Sequence, residues 1–118
     1  MLKKDSSTLS PLYQKLKITI DSVTINSSVT PEVMTVTLTR VDNEDIPLQG
    51  VRFKFLDING NSYTYDINTP PADVGLSQPY YIKNTDINIG TFSSINKVSV
   101  SAVTPEGKQT NDLDEKDI

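Results

Sequence analysis

The stretch VRFKFLDINGNSYTYDI, residues 51–67, decides the fold of this chain. It sets two short aromatic runs around a polar knot, DINGN. Val51, Phe53 and Phe55 share one parity, and Tyr63, Tyr65 and Ile67 share another, the period-2 pattern of two strands each burying one face. A two-residue turn at Asn59-Gly60 would pair Phe55 with Thr64 and Phe53 with Asp66, setting aromatics beside polar groups. A three-residue loop, Ile58-Asn59-Gly60, instead pairs Phe55 with Tyr63, Phe53 with Tyr65 and Val51 with Ile67. Every apolar residue then meets an apolar partner. Turn chemistry agrees: Asp57 suits the first position of a type I turn, Asn59 the third, and Gly60 the left-handed residue of a G1 bulge. A calcium loop of the EF type needs Gly at its sixth position and a bidentate Glu at its twelfth. Here Gly60 is fourth and Asn68 twelfth, so Asp57, the candidate a metal site would use, reads as a turn cap. No metal and no cofactor is expected.

Working outward, the neighbouring segments repeat the strand signal. Residues 33–41, VMTVTLTRV, alternate Met34, Val36 and Leu38 against Thr35, Thr37 and Thr39, a half-buried strand with a hydroxyl-bearing outer face. Upstream, Leu16, Ile18 and Ile20 hold one parity, and Val23 and Ile25 restart on the other. That slip at Asp21-Ser22 predicts a β-bulge. DNEDIPLQG (42–50) is too long for a tight hairpin and predicts a connection across an end of the sheet. NTPPADVGLSQP (68–79), with three prolines, reads as a stiffened crossover between sheets, a loop length that is often functional. YYI (80–82), DINIGTF (86–92) and KVSVSAV (97–103) are predicted as further strands, with Ile87, Ile89, Val98, Val100 and Ala102 inward.

Strands spaced by turn signals, with no helical period, predict an all-β fold: a single immunoglobulin-like antiparallel β-sandwich of about six to eight short strands. At 118 residues the chain fits one domain. The expected division is a flexible or edge-pairing N-terminal segment over 1–14, the sandwich over 15–110, and an acidic tail or edge strand over 111–118.

Composition empties most of the catalytic inventory. With no Cys and no His, thiolate nucleophiles, disulfides, imidazole bases and most zinc sites are excluded. A formal charge of −4, with its Lys and Arg dispersed, argues against nucleic acid as a partner. No apolar run reaches the length of a membrane span, and MLKKDSSTLSPLY lacks the apolar core of a signal peptide. The expectation is therefore a non-enzymatic domain. An extracellular or cell-surface ectodomain, its leader or anchor lying outside this chain, is the expected setting, with a cytoplasmic protein as the alternative.

The succession ITIDSVTINSS, then TVTLTRVDNEDIPLQGVRFKFLDINGNSYTYDINTPP, then VSVSAVTPEGK resembles the globular β-sandwich domains of archaeal secreted type IV pilin-like and archaellum-associated proteins, over residues 16–108. Those proteins typically begin with a hydrophobic helix that this chain lacks, and no catalytic or ligand residue carries over. The resemblance implies a structural or adhesive role outside the membrane.

Four further readings concern sites. The triplet Asn26-Ser27-Ser28 would be a glycosylation acceptor on an exported protein, with Asn26 as its candidate, although such a triplet is also expected by chance in a chain rich in Asn, Ser and Thr. Lys3, Lys4, Lys15 and Lys17 complement an acidic C-terminus, which predicts that the N-terminal segment, through Leu9, Leu12 and Leu16, pairs along the C-terminal edge of its own or a neighbouring subunit. Protein partners or self-association through edge strands or loops follow from that reading. The alternative is a carbohydrate-binding, or less readily carbohydrate-cleaving, sandwich in which exposed Tyr80 or Tyr81 and paired carboxylates such as Asp66 and Asp86 do the work; absence of Trp counts against a stacking platform.

Overall fold

The computed structural model describes residues 11–42 and 46–118, leaving aside the side chains of residues 11 and 12. Its simplest element follows directly from alternation. In β2 (Val33–Arg40) Met34, Val36 and Leu38 are fully buried while Val33, Thr35, Thr37 and Thr39 lie on the outer face. The other strands are β1 (Ile18–Asn26), β3 (Gly50–Asp57), β4 (Ser62–Ile67), β5 (Ser77–Lys83), β6 (Ile95–Val103) and β7 (Asp114–Asp117). Two short 3-10 helices, Pro11–Lys15 and Asn84–Ile87, complete the described elements.

The strands form two antiparallel sheets, one ordered β1-β2-β5 and one ordered β4-β3-β6-β7. This is a β-sandwich. In the constant-type immunoglobulin order the fourth strand lies beside the fifth; here β4 stays with β3, its hairpin partner. The core is the set of inward parities from both sheets: Ile18, Met34, Val36, Leu38 and Ile82 from one, Val51, Phe53, Phe55, Val98 and Val100 from the other, all fully buried. Burial of such side chains stabilises by roughly 1.5–3 kcal/mol each relative to exposure.

Two sequence expectations are met in detail. The β3–β4 register pairs Val51 with Ile67, Phe53 with Tyr65 and Phe55 with Tyr63, which is the three-residue loop. The β1–β2 register shifts between Ile20 and Ser22, which returns Val23 and Ile25 to the inner face opposite Val36 and Met34. The connections expected over 42–50 and 68–79 do link one sheet to the other, but Gly50 already belongs to β3 and residues 77–79 to β5. The end of the first crossover is tight: a Cβ on Gly50 would lie 2.2 Å from the Ile67 carbonyl oxygen, so only glycine lets the end of β4 approach there.

One strand expectation fails. Residues 86–92 are not a strand; a 3-10 helix occupies Asn84–Ile87 and irregular chain follows. Side chains outcompete the ladder for backbone groups. Asn84 Nδ2 donates to the carbonyls of Ile89 (2.8 Å) and Gly90 (3.2 Å), Asp86 accepts the Lys83 N–H at 2.8 Å, and Asn88 turns the chain with φ +60°. Glu32 then fixes the segment by accepting the Phe92 N–H at 2.8 Å. Ile87 is nevertheless buried and Ile89 half-buried, as their inward reading requires.

The acidic C-terminus forms β7, an edge strand on β6. Thr110 holds the return, its N–H donating to the Ala102 carbonyl and its hydroxyl accepting the Ala102 N–H. At the other end, Tyr13 packs against the core and its hydroxyl donates to the Pro47 carbonyl. Arg40 follows the inward parity of β2 and is buried, donating to Asp42 (2.9 Å) and to the Ile46 carbonyl (2.8 Å). No helix among the described residues is long and apolar enough to cross a membrane.

Candidate functional site

The DINGN hairpin uses its acid up on itself. Asp57 is 5% exposed; Oδ1 accepts the N–H groups of Asn59 and Asn61, each at 2.9 Å, and Oδ2 accepts Asn61 Nδ2 at 3.3 Å and the Tyr63 hydroxyl at 3.2 Å. Gly60 sits at φ +86° and its N–H donates to the Asp57 carbonyl at 3.1 Å, the type I turn with its left-handed residue. Desolvation pushes the Asp57 carboxyl up, but the backbone donors of Asn61 and Asn59, with the Asn61 amide and the Tyr63 hydroxyl, outweigh it and hold it below the usual carboxylate range. Among the described residues no group of three or more acids is placed to hold a metal ion.

Asp66 and Asp86 have separate tasks. Asp66 takes a two-point ion pair from Arg52, with Arg52 Nη2 to Asp66 Oδ2 at 2.7 Å, and that hydrogen bond, against some desolvation, holds the carboxyl low. Arg52 also donates to Gln109, whose amide donates to the Ser101 hydroxyl at 3.0 Å. The Lys97–Glu115 pair, at 3.3 Å, is a separate ion pair between β6 and β7. Asp86 accepts the Lys83 N–H.

Tyr80 and Tyr81 also part company. Tyr80, expected at the surface, is 3% exposed, its ring 5.5 Å from that of Phe53 and its hydroxyl donating to the Thr69 carbonyl at 3.0 Å. Burial pushes that hydroxyl well above the usual phenol range. Ile82, two residues on and fully buried, carries the parity signal that marks Tyr80 as inward. Tyr81 is 62% exposed on the outer face of the three-stranded sheet. The registers build three rows there: Thr24, Thr35 and Tyr81; Ser22, Thr37 and Pro79; Thr19, Thr39 and Ser77. Within these rows no side chain is charged, although Thr39 donates to Asp21 at the bulge and shares a hydrogen bond with Ser77. A shallow cleft of about 290 Å³ adjoins them, lined by Ile67, Thr69, Gln78, Pro79, Tyr80 and Tyr81.

The four sheet edges differ in how they are closed. On β1 the Ile20 N–H donates to the Asp114 carboxylate at 2.8 Å, and the bulge interrupts the strand beside it. On β5 the edge is blunted by Pro79. The Val41 N–H bonds to Lys17, so odd residues of β2 face β1; Pro79, opposite Thr37, therefore has its nitrogen on the free side, where it offers no donor. β7 is four residues, all charged. Short, charged, bulged and proline-bearing edges resist strand addition.

β4 carries no proline, bulge or run of charges, and the 3-10 helix Asn84–Ile87 packs beside it. Because the Asp57 N–H bonds to the Asn61 carbonyl, the odd residues 63, 65 and 67 bond to β3, and the N–H and C=O groups of Ser62, Thr64 and Asp66 face outward. Those three residues are exposed, while Tyr63, Tyr65 and Ile67 are half-buried on the core side. Arg52 meets the one charge on the strand. Sequence reasoning placed edge pairing at the termini because it had charge but no strand order.

Of the remaining candidates, Asn26 is exposed, its Oδ1 accepting the Ser28 N–H at 3.1 Å and hydroxyl at 2.7 Å. Leu9 lies outside the described residues, as does the Leu12 side chain. Leu16 is 5% exposed in the core cluster, with Tyr13 packed against that cluster. The β7 edge is approached by β1 of the same chain, through the Ile20–Asp114 bond. No family model matches the chain, no curated protein proved similar to it, and no solved structure matches it.

Proposed function

We propose that this domain is a non-enzymatic structural or protein-interaction module, immunoglobulin-like and pilin-like, that acts outside the cell or at its surface through a sheet edge. One observation carries the reading: three of the four sheet edges are closed by a bulge with a carboxylate cap, a proline or a run of charges, and β4 alone among the described edge strands carries none of these. The likeness of residues 16–108 to archaeal secreted pilin-like domains supports the same role. A protein partner fits an open edge, since backbone groups supply affinity and alternate side chains supply selectivity. The test is capture of envelope proteins on the immobilised chain, with amide exchange read at Ser62, Thr64 and Asp66. Capture that protects these amides and is lost in Thr64→Pro supports the reading; capture unaffected by Thr64→Pro sinks it.

A carbohydrate-binding role is the second reading, favoured by the uncharged hydroxyl rows around Tyr81 and the adjoining cleft. Binding on a glycan array that is lost in Tyr81→Ala and retained in Thr64→Pro selects it over the first.

A further inference from the structure

We propose that β4 is where the chain associates with itself: two copies pair β4 with β4 antiparallel about a two-fold axis at Thr64, fusing their four-stranded sheets into one. This rests on the reading that the domain works through a sheet edge, and it names the occupant of that edge.

The strand is self-complementary. Only Ser62, Thr64 and Asp66 direct backbone N–H and C=O groups outward. Centring the axis on Thr64 sets Ser62 against Asp66 of the partner subunit, Thr64 against Thr64 of the partner subunit, and Asp66 against Ser62 of the partner subunit. Each of these pairs exchanges two hydrogen bonds. Slipping the register by one residue sets outward-facing groups against inward-facing ones, and slipping it by two leaves one row unpaired.

Side chains favour the same register. Residues 62–66, Ser-Tyr-Thr-Tyr-Asp, read alike in both directions by chemical type: polar, Tyr, Thr, Tyr, polar. Tyr63 therefore meets Tyr65 of the partner subunit on the core side, twice, covering the parts of both rings that the monomer leaves half-buried. On the outer face Thr meets Thr and Ser meets Asp. No like charges oppose, because the carboxylate of Asp66 is already held by Arg52. A C2 contact of this kind is isologous and closes at the dimer.

The pairing uses backbone hydrogen bonds and aromatic contact, not ion pairs, so it is insensitive to salt. Association through oppositely charged chain ends would instead weaken as salt screens it.

Sedimentation equilibrium of the full chain over a wide concentration range, at low and high salt, is the test. The wild type is expected to dimerise equally at both. Thr64→Pro removes an N–H that the monomer's own ladder does not use, so it should weaken the dimer by about tenfold or more while the melting midpoint holds. A second variant covers the case in which the proline perturbs folding. Because the chain has no cysteine, Thr64→Cys introduces a single thiol at the axis, where the paired Cα atoms lie about 5.5 Å apart, within reach of a short bis-maleimide crosslinker. It should be trapped as a covalent dimer by that crosslinker, and Ser28→Cys, at the exposed Asn26 turn, should not. A wild type that stays monomeric at every concentration, a dimer that dissolves at high salt, or a dimer that survives Thr64→Pro with no trapping of Thr64→Cys overturns the proposal. A monomeric chain that still captures a foreign protein through β4 leaves the edge reading standing and removes the second copy as its occupant.

Discussion

Replacing Phe53 by alanine tests the core on which the β4 edge depends. Phe53 lies on β3 between β4 and β6, is fully buried, and has the Phe55 ring centroid at 6.3 Å and the Tyr80 centroid at 5.5 Å in an edge-to-face arrangement. Phe→Ala in a core costs about 3–5 kcal/mol, the higher values belonging to sites whose walls do not collapse. Here the walls are paired strands in both sheets, so we expect about 4 kcal/mol. With an unfolding entropy of about 2.1 cal/mol/K per residue, the 118 residues give about 0.25 kcal/mol/K, and the melting midpoint should fall by about 16 °C. The assay is thermal and urea unfolding followed by Tyr fluorescence and far-UV circular dichroism, with Tyr80→Phe as a single variant and Tyr80→Ala with its double variant completing a cycle. Tyr80→Phe alone should cost about 1 kcal/mol for the lost bond to Thr69, and a cycle with Tyr80→Ala should return a coupling of about 0.5–1.5 kcal/mol for the ring pair. A loss below about 1 kcal/mol for Phe53→Ala would refute the placement of this ring at the centre of the sandwich.

Two further outcomes probe the hairpin. Gly60→Val should destabilise by about 1–2 kcal/mol, because a β-branched residue resists φ +86° although nothing crowds the site; melts with and without calcium should coincide in both proteins, and a calcium-dependent rise abolished by Asp57→Asn would restore the metal reading. The Asp57 carboxyl is held below its unfolded value, so its contribution is present above the unfolded pKa of about 4 and is lost as pH falls through the lower folded pKa. Asp57→Asn should therefore flatten the acid limb of stability against pH, leaving the part due to Asp66; an unchanged acid limb contradicts the assignment.

The sequence alone determined what depends on neighbours along the chain. Pairing within the β3–β4 hairpin, the bulge at Asp21 and the alternation of β2 follow from a period of two and from turn chemistry confined to a few residues, and each is present as read. Even so, local pattern misplaced residues 86–92 as a strand, because Asn84 and Glu32 reach backbone groups that periodicity assumes are free for a ladder. It left Tyr80 and Tyr81 together as surface candidates, although the parity of Ile82 separates them. Arg40 went unnoticed as a buried cation, since its partners, Asp42 and the Ile46 carbonyl, sit in a crossover whose path sequence does not specify. The state of the edges was decided by tertiary structure alone. Strand order set β4 at the rim of its sheet, and Asp114 closes Ile20 across 94 residues of chain. An edge is defined by the strand that is missing beside it, and no local stretch of sequence encodes which strand that will be.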